Sequence, residues 1–483
     1  MQSLNKETIY PNKDVASTTD ATFSLNSRFV YFVCLVSAMG GLLFGYDWVV
    51  IGGAKPFYEL YFNIADSPSS QGLAMSIALV GCMIGACTCG WLADKIGRKK
   101  LLIVSALVFL LSSLLTGAFS SFDLFLVARF FGGVGIGIAS GLSPMYIAEI
   151  APSNIRGKLV SLNQMTIVLG ILAAQIVNWL IAEPIPAGSM ASDIAASWNG
   201  QMAWRWMFWA AAVPSLAFLL MAFFIPESPR WQAMNGQVVA ATDTLTRIGG
   251  VDYAHTEMRA ISIANTAIKE QAGLATLFSR PFGKVLVLGL FIAVFQQWCG
   301  TNVIFNYAQE IFQSAGYSVG DVLFNIVITG VANVVFTIIA INVVDKLGRR
   351  KLMLIGALGL CIIYAILGLC YYLHITDFFM IVLVVAAIGC YAMTLGPCTW
   401  VLIAELFPNR VRAVAVATCT FALWVGSSTL TYTFPFLNAS LGSYGTFWIY
   451  SLVCLVGFVF FMAKLPETKG KSLEQLEEEL IKK

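Results

Sequence analysis

The sequence predicts an all-α membrane protein with twelve transmembrane helices in two six-helix halves. Three observations predict this fold class. Hydrophobic residues fill 58% of the 483 positions and charged residues only 11%, which leaves too little charge to cover a soluble surface. Twelve apolar runs are long enough to cross about 30 Å of hydrocarbon as helices. Three short polar motifs each occur once in both halves of the chain.

The apolar runs are separated by polar connections, one of which is long and charged. The predicted spans are 28–53, 72–92, 101–119, 122–148, 160–182, 204–224, 284–312, 321–344, 352–373, 377–406, 413–436 and 444–464. The predicted units are an N-terminal tail (1–27), the halves (28–224 and 284–464), a linker (225–283) and a C-terminal tail (465–483). Helix-like apolar spacing in the linker predicts short amphipathic helices. Because the first 27 residues lack a signal-peptide pattern, we expect the first helix to be the targeting element.

The repeated motifs lie at matching places in the two halves. D-K-I-G-R-K-K (94–100) returns as D-K-L-G-R-R-K (345–351), A-E-I-A-P-S-N-I-R (148–156) as A-E-L-F-P-N-R-V-R (404–412), and P-E-S-P-R (226–230) as P-E-T-K-G (466–470). Such pairs indicate two six-helix repeats. Repeats that move about a central site are the physical basis of alternating access in a carrier, whereas a channel does not require them.

Positive charge predicts which side of the membrane each connection occupies. Of the 29 Lys and Arg residues, three lie elsewhere than in the tails and even-numbered connections, which leaves 26 on one side. The three are Lys55, expected in the first outward connection, Arg129 in span four and Arg205 at the start of span six. Lys and Arg near helix ends are retained in the cytoplasm, so both termini are expected there. The formal charge of +3 gives no reason to expect a nucleic-acid partner.

The sequence contains no recognisable catalytic or metal-binding pattern. All eleven cysteines fall within apolar spans and are expected to be packing residues. His255 and His374 have no further ligand residues near them in the sequence that would make a metal site. Phosphate loops and nucleophile–base pairs are absent, so we predict neither a cofactor nor an enzyme. Gly133, Gly135 and Gly137 resemble part of a dinucleotide fingerprint. They lie within a membrane span, where small residues let helices approach closely.

A set of motifs places the chain in a known family. They are G-G-L-L-F-G-Y-D (40–47), both D-x-x-G-R motifs, R-F-F-G-G-V-G-I-G (129–137), P-E-S-P-R, F-Q-Q-W-C-G-T-N (295–302), G-P-C-T-W (396–400) and P-E-T-K-G. Over about residues 28–473 the chain resembles the sugar porters of the major facilitator superfamily. In its loop pattern it is similar to the bacterial xylose/proton symporters. The resemblance implies a multi-pass protein of the bacterial inner membrane that imports a monosaccharide, a pentose or a hexose, with a proton, as a monomer.

Three amides on span seven are the first candidates for binding sugar. Gln296, Gln297 and Asn302 are costly in a membrane helix unless they find partners or face a water-filled cavity. An amide both donates and accepts, as a sugar hydroxyl does. An ideal helix turns Gln297 and Asn302 about 140° apart, so we expect a break at Gly300 to re-aim Asn302. Interhelical hydrogen bonding is the alternative. By resemblance, the other sugar ligands are Gln164, Asn333 and Trp400.

Trp400 follows Gly396-Pro397, which is expected to break span ten. Its ring offers an apolar face to the C–H side of a sugar and its indole a donor, although an ordinary buried tryptophan is the alternative. Four residues depart from the family's pattern and leave the sugar's identity open. Asn306 stands where the family commonly has a tyrosine, and Ile171 stands where the bacterial xylose symporter has a glutamine. Leu423 and Ser427 stand where amide side chains are common in the family.

The repeated motifs resemble a charge network at the cytoplasmic side. In the family this network holds the halves together in the outward-facing state and breaks on inward opening. Its members here would be Arg98, Glu149, Arg156, Arg349, Glu405 and Arg412. Static anchoring of helix ends by positive charge is the alternative.

Asp47 on span one and Arg129 on span four are predicted to form a buried pair. Each is costly in an apolar helix without a partner or a function. Both lie about 10 Å from the external end, at about 1.5 Å per residue, so they can meet. Proton-coupled sugar porters carry this aspartate, whereas animal facilitators carry asparagine. We therefore expect a proton on Asp47 to release Arg129 and drive symport. A static pair, a proton-independent facilitator and a non-transporting sugar sensor are the alternatives.

Overall fold

The computed structural model describes residues 24–186, 189–268, 277–314, 319–375, 379–408 and 411–469, and helices dominate these residues. The first half contains α1 (Ser27–Tyr61), α2 (Pro68–Ile96), α3 (Arg98–Ala118), α4 (Phe122–Ile150), α5 (Arg156–Ile181), α6 (Ala191–Ala196), α7 (Trp204–Ala210) and α8 (Ala212–Ala222). Next come α9 (Pro229–Met234) and α10 (Val238–Ile268). The second half contains α11 (Arg280–Trp298), α12 (Thr301–Asn306), α13 (Ala308–Ser314), α14 (Val319–Leu347), α15 (Arg349–Tyr372), α16 (Phe379–Met393), α17 (Leu395–Leu406) and α18 (Arg412–Lys464).

The helices account for the twelve predicted crossings. Within the described residues, eleven stretches are long and apolar enough to cross a membrane. The last of them belongs to α18, whose 53 residues would extend about 80 Å at about 1.5 Å per residue, too far for one crossing. Gly442 interrupts α18 with non-helical backbone angles, so α18 supplies two crossings. The prediction of an all-helical protein with twelve spans is confirmed.

Spans seven and ten each contain a break in the helix with non-helical backbone angles. Gly300, at a φ of +88°, separates α11 from α12 within span seven, as expected. In span ten the break lies at Thr394 and not at Gly396-Pro397, so that expectation was wrong. Pro397 instead belongs to the first turn of α17, where a missing N–H costs nothing because that N–H has no helical acceptor.

Small residues bring α2 and α4 into close contact. A Cβ atom on Gly133 would lie 1.9 Å from the carbonyl oxygen of Ala78, and one on Gly137 would lie 2.2 Å from that of Cys82. Both distances are too short for any side chain, so the backbones of these helices pack directly against each other. The glycine motif on α4 is therefore a packing surface, as predicted.

The most extensive contacts between the halves involve two pairs of helices. α2 packs against α18, and α5 packs against α14. We call the end of the molecule with residues 94–100 and 345–351 the basic end, and the other end the opposite end. Helices α9 and α10 fit the amphipathic helices predicted for the linker, and Gly250 kinks α10. The tails 1–23 and 470–483 and linker residues 269–276 lie outside the described residues.

Candidate functional site

Asp47 and Arg129 form the predicted pair. Arg129 Nη1 lies 2.5 Å from Asp47 Oδ1, and both side chains are less than a tenth exposed. The guanidinium also lies 5.3 Å from the centroid of the Phe208 ring. Among the described residues, Arg129 Nε has no hydrogen-bond partner. The charge of Arg129 therefore depends mainly on Asp47, so protonation of this aspartate would leave a buried cation poorly compensated.

A cavity of about 20 Å³ adjoins this pair. Asp47, Arg129, Phe44 and Trp48 line it from the first half, and Asn306 lines it from the second. A volume of this size holds about one water molecule. The cavity therefore has room for one water beside Asp47 but cannot admit a sugar.

The amides of span seven form a chain of hydrogen bonds. Gln296 donates to the hydroxyl of Tyr391, Gln297 donates to Gln296 Oε1, and Asn302 donates to Gln297 Oε1. The break at Gly300 makes the last bond possible, because it turns α12 away from the line of α11. All three amides are buried. The structure thus brings them together, while their role in sugar binding stays a prediction.

The other predicted sugar ligands lie on different helices. Gln164 is exposed on α5 and Asn333 is buried on α14, which packs against α5. Trp400 on α17 is 43% exposed, so it is not an ordinary buried tryptophan in this conformation. Across the described ranges, no hydrogen bond joins these three side chains to the amide chain. The residues that depart from the family's pattern, Asn306, Ile171, Leu423 and Ser427, are all buried.

An aromatic cluster joins the halves beside the cavity. The ring centroids of Phe44 and Trp48 on α1 are 5.5 Å apart, and each ring contacts Trp424 on α18, at 5.9 Å and 6.1 Å. Sequence reasoning did not identify Phe44, Trp48 or Tyr391 as parts of the site. Aromatic residues are common in membrane helices, so no sequence signal distinguished these three.

At the basic end, three motifs of the first half meet. Arg98 makes two hydrogen bonds with Glu149, at 3.0 and 3.1 Å. Glu227 accepts the backbone N–H groups of Arg98 and Lys99 at 2.8 and 3.0 Å, at the N-terminus of α3, where a negative charge is favourable. Ser228 donates to Glu149. The cluster fastens α3, the end of α4 and the chain after α8.

The second half repeats this cluster. Arg349 donates to Glu405 at 3.2 Å, Glu467 accepts the backbone N–H of Arg349 at 3.0 Å, and Thr468 donates to Glu405 at 2.6 Å. Arg156 and Arg412 also match, because each donates from Nε to a backbone carbonyl five residues before it, that of Ala151 or Phe407. Each of these bonds joins residues of the same repeat, and none of those named here joins the two halves. Gating by the six residues stays a prediction.

The sequence predicted that Lys55 lies in a connection, but the structure places it within α1. Helix α1 extends to Tyr61, well past the apolar run, and Lys55 is 3% exposed within it. It pairs with Glu59 and with Glu310. Arg205, which the sequence also placed away from the basic end, is buried too and donates to the carbonyls of Gly117 and Phe119 at the end of α3.

Twelve crossings in two repeats, with buried charges and amides between apolar helices, define a multi-pass membrane carrier of the major facilitator fold. The chain belongs to the family described as "Sugar (and other) transporter", which matches residues 33–480. Among its relatives, the arabinose-proton symporter of Bacillus subtilis is 37% identical, with 95% of this chain and 97% of the relative covered. The D-xylose-proton symporter of Escherichia coli is 35% identical, with 94% and 96% covered.

Solved structures of the E. coli xylose transporter XylE match the fold. The inward-open conformation has a TM-score of 0.82 and 34% identity, with 94% of this chain and all of that chain covered. The partially occluded inward-open conformation has a TM-score of 0.80. The resemblance to sugar porters is therefore confirmed. The apolar helices and the bacterial relatives also support the predicted location in a bacterial inner membrane.

Proposed function

We propose that this protein is a secondary active transporter that imports a monosaccharide together with a proton. The observation that carries the proposal is the buried pair of Asp47 and Arg129 beside a cavity of about 20 Å³. A carboxylate held by one cation, with room for one water, is a group that can exchange a proton with solvent while the carrier changes conformation. The proton-coupled arabinose and xylose transporters among the relatives support this assignment.

Sugar binds between the halves in this proposal, through the hydrogen-bonded amides Gln296, Gln297 and Asn302. Gln164, Asn333 and Trp400 complete the site once the halves close around the sugar. Each neutral hydrogen bond contributes about 0.5–1.5 kcal/mol net, so several together give a millimolar to micromolar affinity. A carrier benefits from such modest affinity because it has to release its substrate.

The orientation proposed for the chain also indicates which side of the membrane this conformation faces. With the basic end and both termini in the cytoplasm, the contacts of Lys55 with Glu310 close the external side. The structure then faces inward, and its likeness to the inward-open xylose transporter supports this interpretation. In the outward-facing state the six arginines and glutamates of the basic end would join the halves. We propose that one chain completes the cycle alone, without a cofactor and without catalysing a reaction.

Reconstitution in liposomes tests the proposal directly. Purified protein would be offered a panel of labelled pentoses, hexoses and polyols, with and without an imposed pH gradient. We expect at least one monosaccharide to accumulate only when the external solution is the more acidic, with protons entering alongside it. Uptake that ignores the gradient and carries no protons would contradict symport and would favour a facilitator.

A further inference from the structure

A buried lysine joins the two halves at the opposite end of the molecule. Lys55 Nζ lies 2.8 Å from Glu59, one turn further along α1. The same Nζ contacts Glu310, which lies on α13 in the second half. A charge taken out of water is tolerated only with close partners. Here one partner comes from each half, so the ion pairs connect parts of the protein that must move relative to each other.

The surroundings show that this is a point of close contact between the halves. Lys55 Nζ lies 5.5 Å from the centroid of the Tyr307 ring, whose hydroxyl donates to the carbonyl of Thr431 on α18 at 2.7 Å. One turn earlier on α1, a Cβ atom on Gly52 would lie 2.9 Å from the carbonyl oxygen of Asn306. The part of α1 around Gly52 and Lys55, which we call its outer part, therefore packs tightly against α12 and α13.

A wider cavity of about 340 Å³ begins at these charges. Lys55, Glu59 and Asp66 line it from the first half, and Gln309, Glu310 and Asn438 line it from the second. The side chain of Glu310 is 22% exposed, whereas that of Lys55 is only 4% exposed. Water in this cavity can thus hydrate Glu310 if its contact with Lys55 breaks, which lowers the cost of separating the two charges.

We propose that Lys55, Glu59 and Glu310 form an ionic latch that holds the external side closed while the carrier faces the cytoplasm. This inference rests on the proposed function and its orientation. Outward opening moves the outer part of α1 away from α13, which separates Lys55 from Glu310. Lys55 stays beside Glu59 because both residues belong to α1. Glu59 therefore keeps the lysine compensated when the latch is open, and Glu310 holds it when the latch is closed.

The two carboxylates have different roles in the latch, which gives a matched pair of variants. Glu310→Gln removes the charge that acts between the halves and should favour the outward-facing state. Glu59→Gln removes a charge within α1 and leaves Lys55 with Glu310 as its remaining carboxylate, so the latch should stay closed. Lys55→Met leaves two carboxylates facing each other, and their repulsion should favour opening more strongly than either other variant.

The rate at which a buried cysteine reacts with an external reagent measures how often the latch opens. Asn306→Cys places a thiol behind the triad at a position that is 4% exposed, and a membrane-impermeant thiol reagent is added from outside. We expect the labelling rate to rise about 5- to 10-fold with Glu310→Gln, to rise further with Lys55→Met, and to stay the same or fall with Glu59→Gln. The parent chain without the reporter gives the background from its own cysteines, of which Cys87 is exposed.

Equal labelling in the two glutamine variants, or an unchanged rate with Lys55→Met, would overturn the latch. A rate with Glu59→Gln that is no higher than normal also shows that loss of a buried carboxylate does not by itself unfold the protein. The assay needs neither sugar nor a gradient. A carrier without proton coupling would therefore still report the latch, while failure of the proposed function would appear only in the uptake measurements.

Discussion

Asp47→Asn is the most informative single change, because it removes the proton-binding group while keeping its size. The neutral amide still offers an oxygen to Arg129, but the guanidinium loses the carboxylate that lies 2.5 Å away. Removing one partner of a buried ion pair costs about 3–5 kcal/mol when nothing replaces it. We expect a smaller cost here, since the hydrogen bond can survive, and a folded protein that still binds sugar.

The effect on transport should be much larger than the effect on stability. One charge moved across 100 mV supplies about 2.3 kcal/mol, enough for an accumulation of about 50-fold. In the Asp47→Asn variant the sugar ratio across the membrane should fall to about one, because no proton accompanies the sugar. Exchange of sugar between the two sides should continue.

Uptake of labelled sugar into liposomes under an imposed potential measures this ratio. Asp123→Asn is the matched control, since Asp123 is an exposed carboxylate at the start of α4 and should leave accumulation unchanged. Direct sugar binding separates lost coupling from lost folding. Accumulation by Asp47→Asn at the level of the unmodified protein would refute the assignment of Asp47 as the coupling residue.

Three further predictions concern the sugar site, the packing and the orientation. Gln297→Ala and Trp400→Ala should each weaken sugar binding about 2- to 10-fold in a folded protein, and unchanged affinity in both would remove them from the site. Gly133→Leu should sharply reduce the yield of folded protein because no side chain fits against α2, whereas Gly141→Ala, with its nearest neighbour at 3.5 Å, should be tolerated in thermal unfolding. A cysteine at exposed Gln237 should react with an impermeant thiol reagent only from the cytoplasmic side, and labelling in intact cells would reverse the orientation.

The sequence predicted what local composition and counting can determine. Apolar length identified the crossings, and equal depth along two helices identified the pair of Asp47 and Arg129. Gly300 was recognised because three amides could not share one helical stripe. Each of these predictions needed only helix geometry and the cost of burying polar groups.

The parts that were missed depend on contacts between distant segments. Lys55 was expected in a loop because the apolar run ends before it, whereas the helix continues to Tyr61, which packs against Trp204. The hydroxyl of Tyr391 completes the amide chain from another helix, and nothing near residue 391 indicates that partner. The break at Thr394 was misplaced because Pro397 suits the start of a helix as well as a break.

In the duplicated clusters at the basic end, Glu227 and Glu467 affect the stability of each half more than the rate of transport. Glu227 and Glu467 each close a cluster within one half, by accepting the backbone N–H groups at the start of α3 and of α15. Substitution of Glu227 or Glu467, which are not among the six proposed gating residues, should lower the free energy of unfolding of that half and leave turnover largely unchanged. Substitutions at contacts between the halves, such as Lys55 with Glu310, should change turnover by shifting the balance between the outward-facing and inward-facing states. A lineage of such carriers can therefore alter its rate of transport and the stability of each half through different contacts.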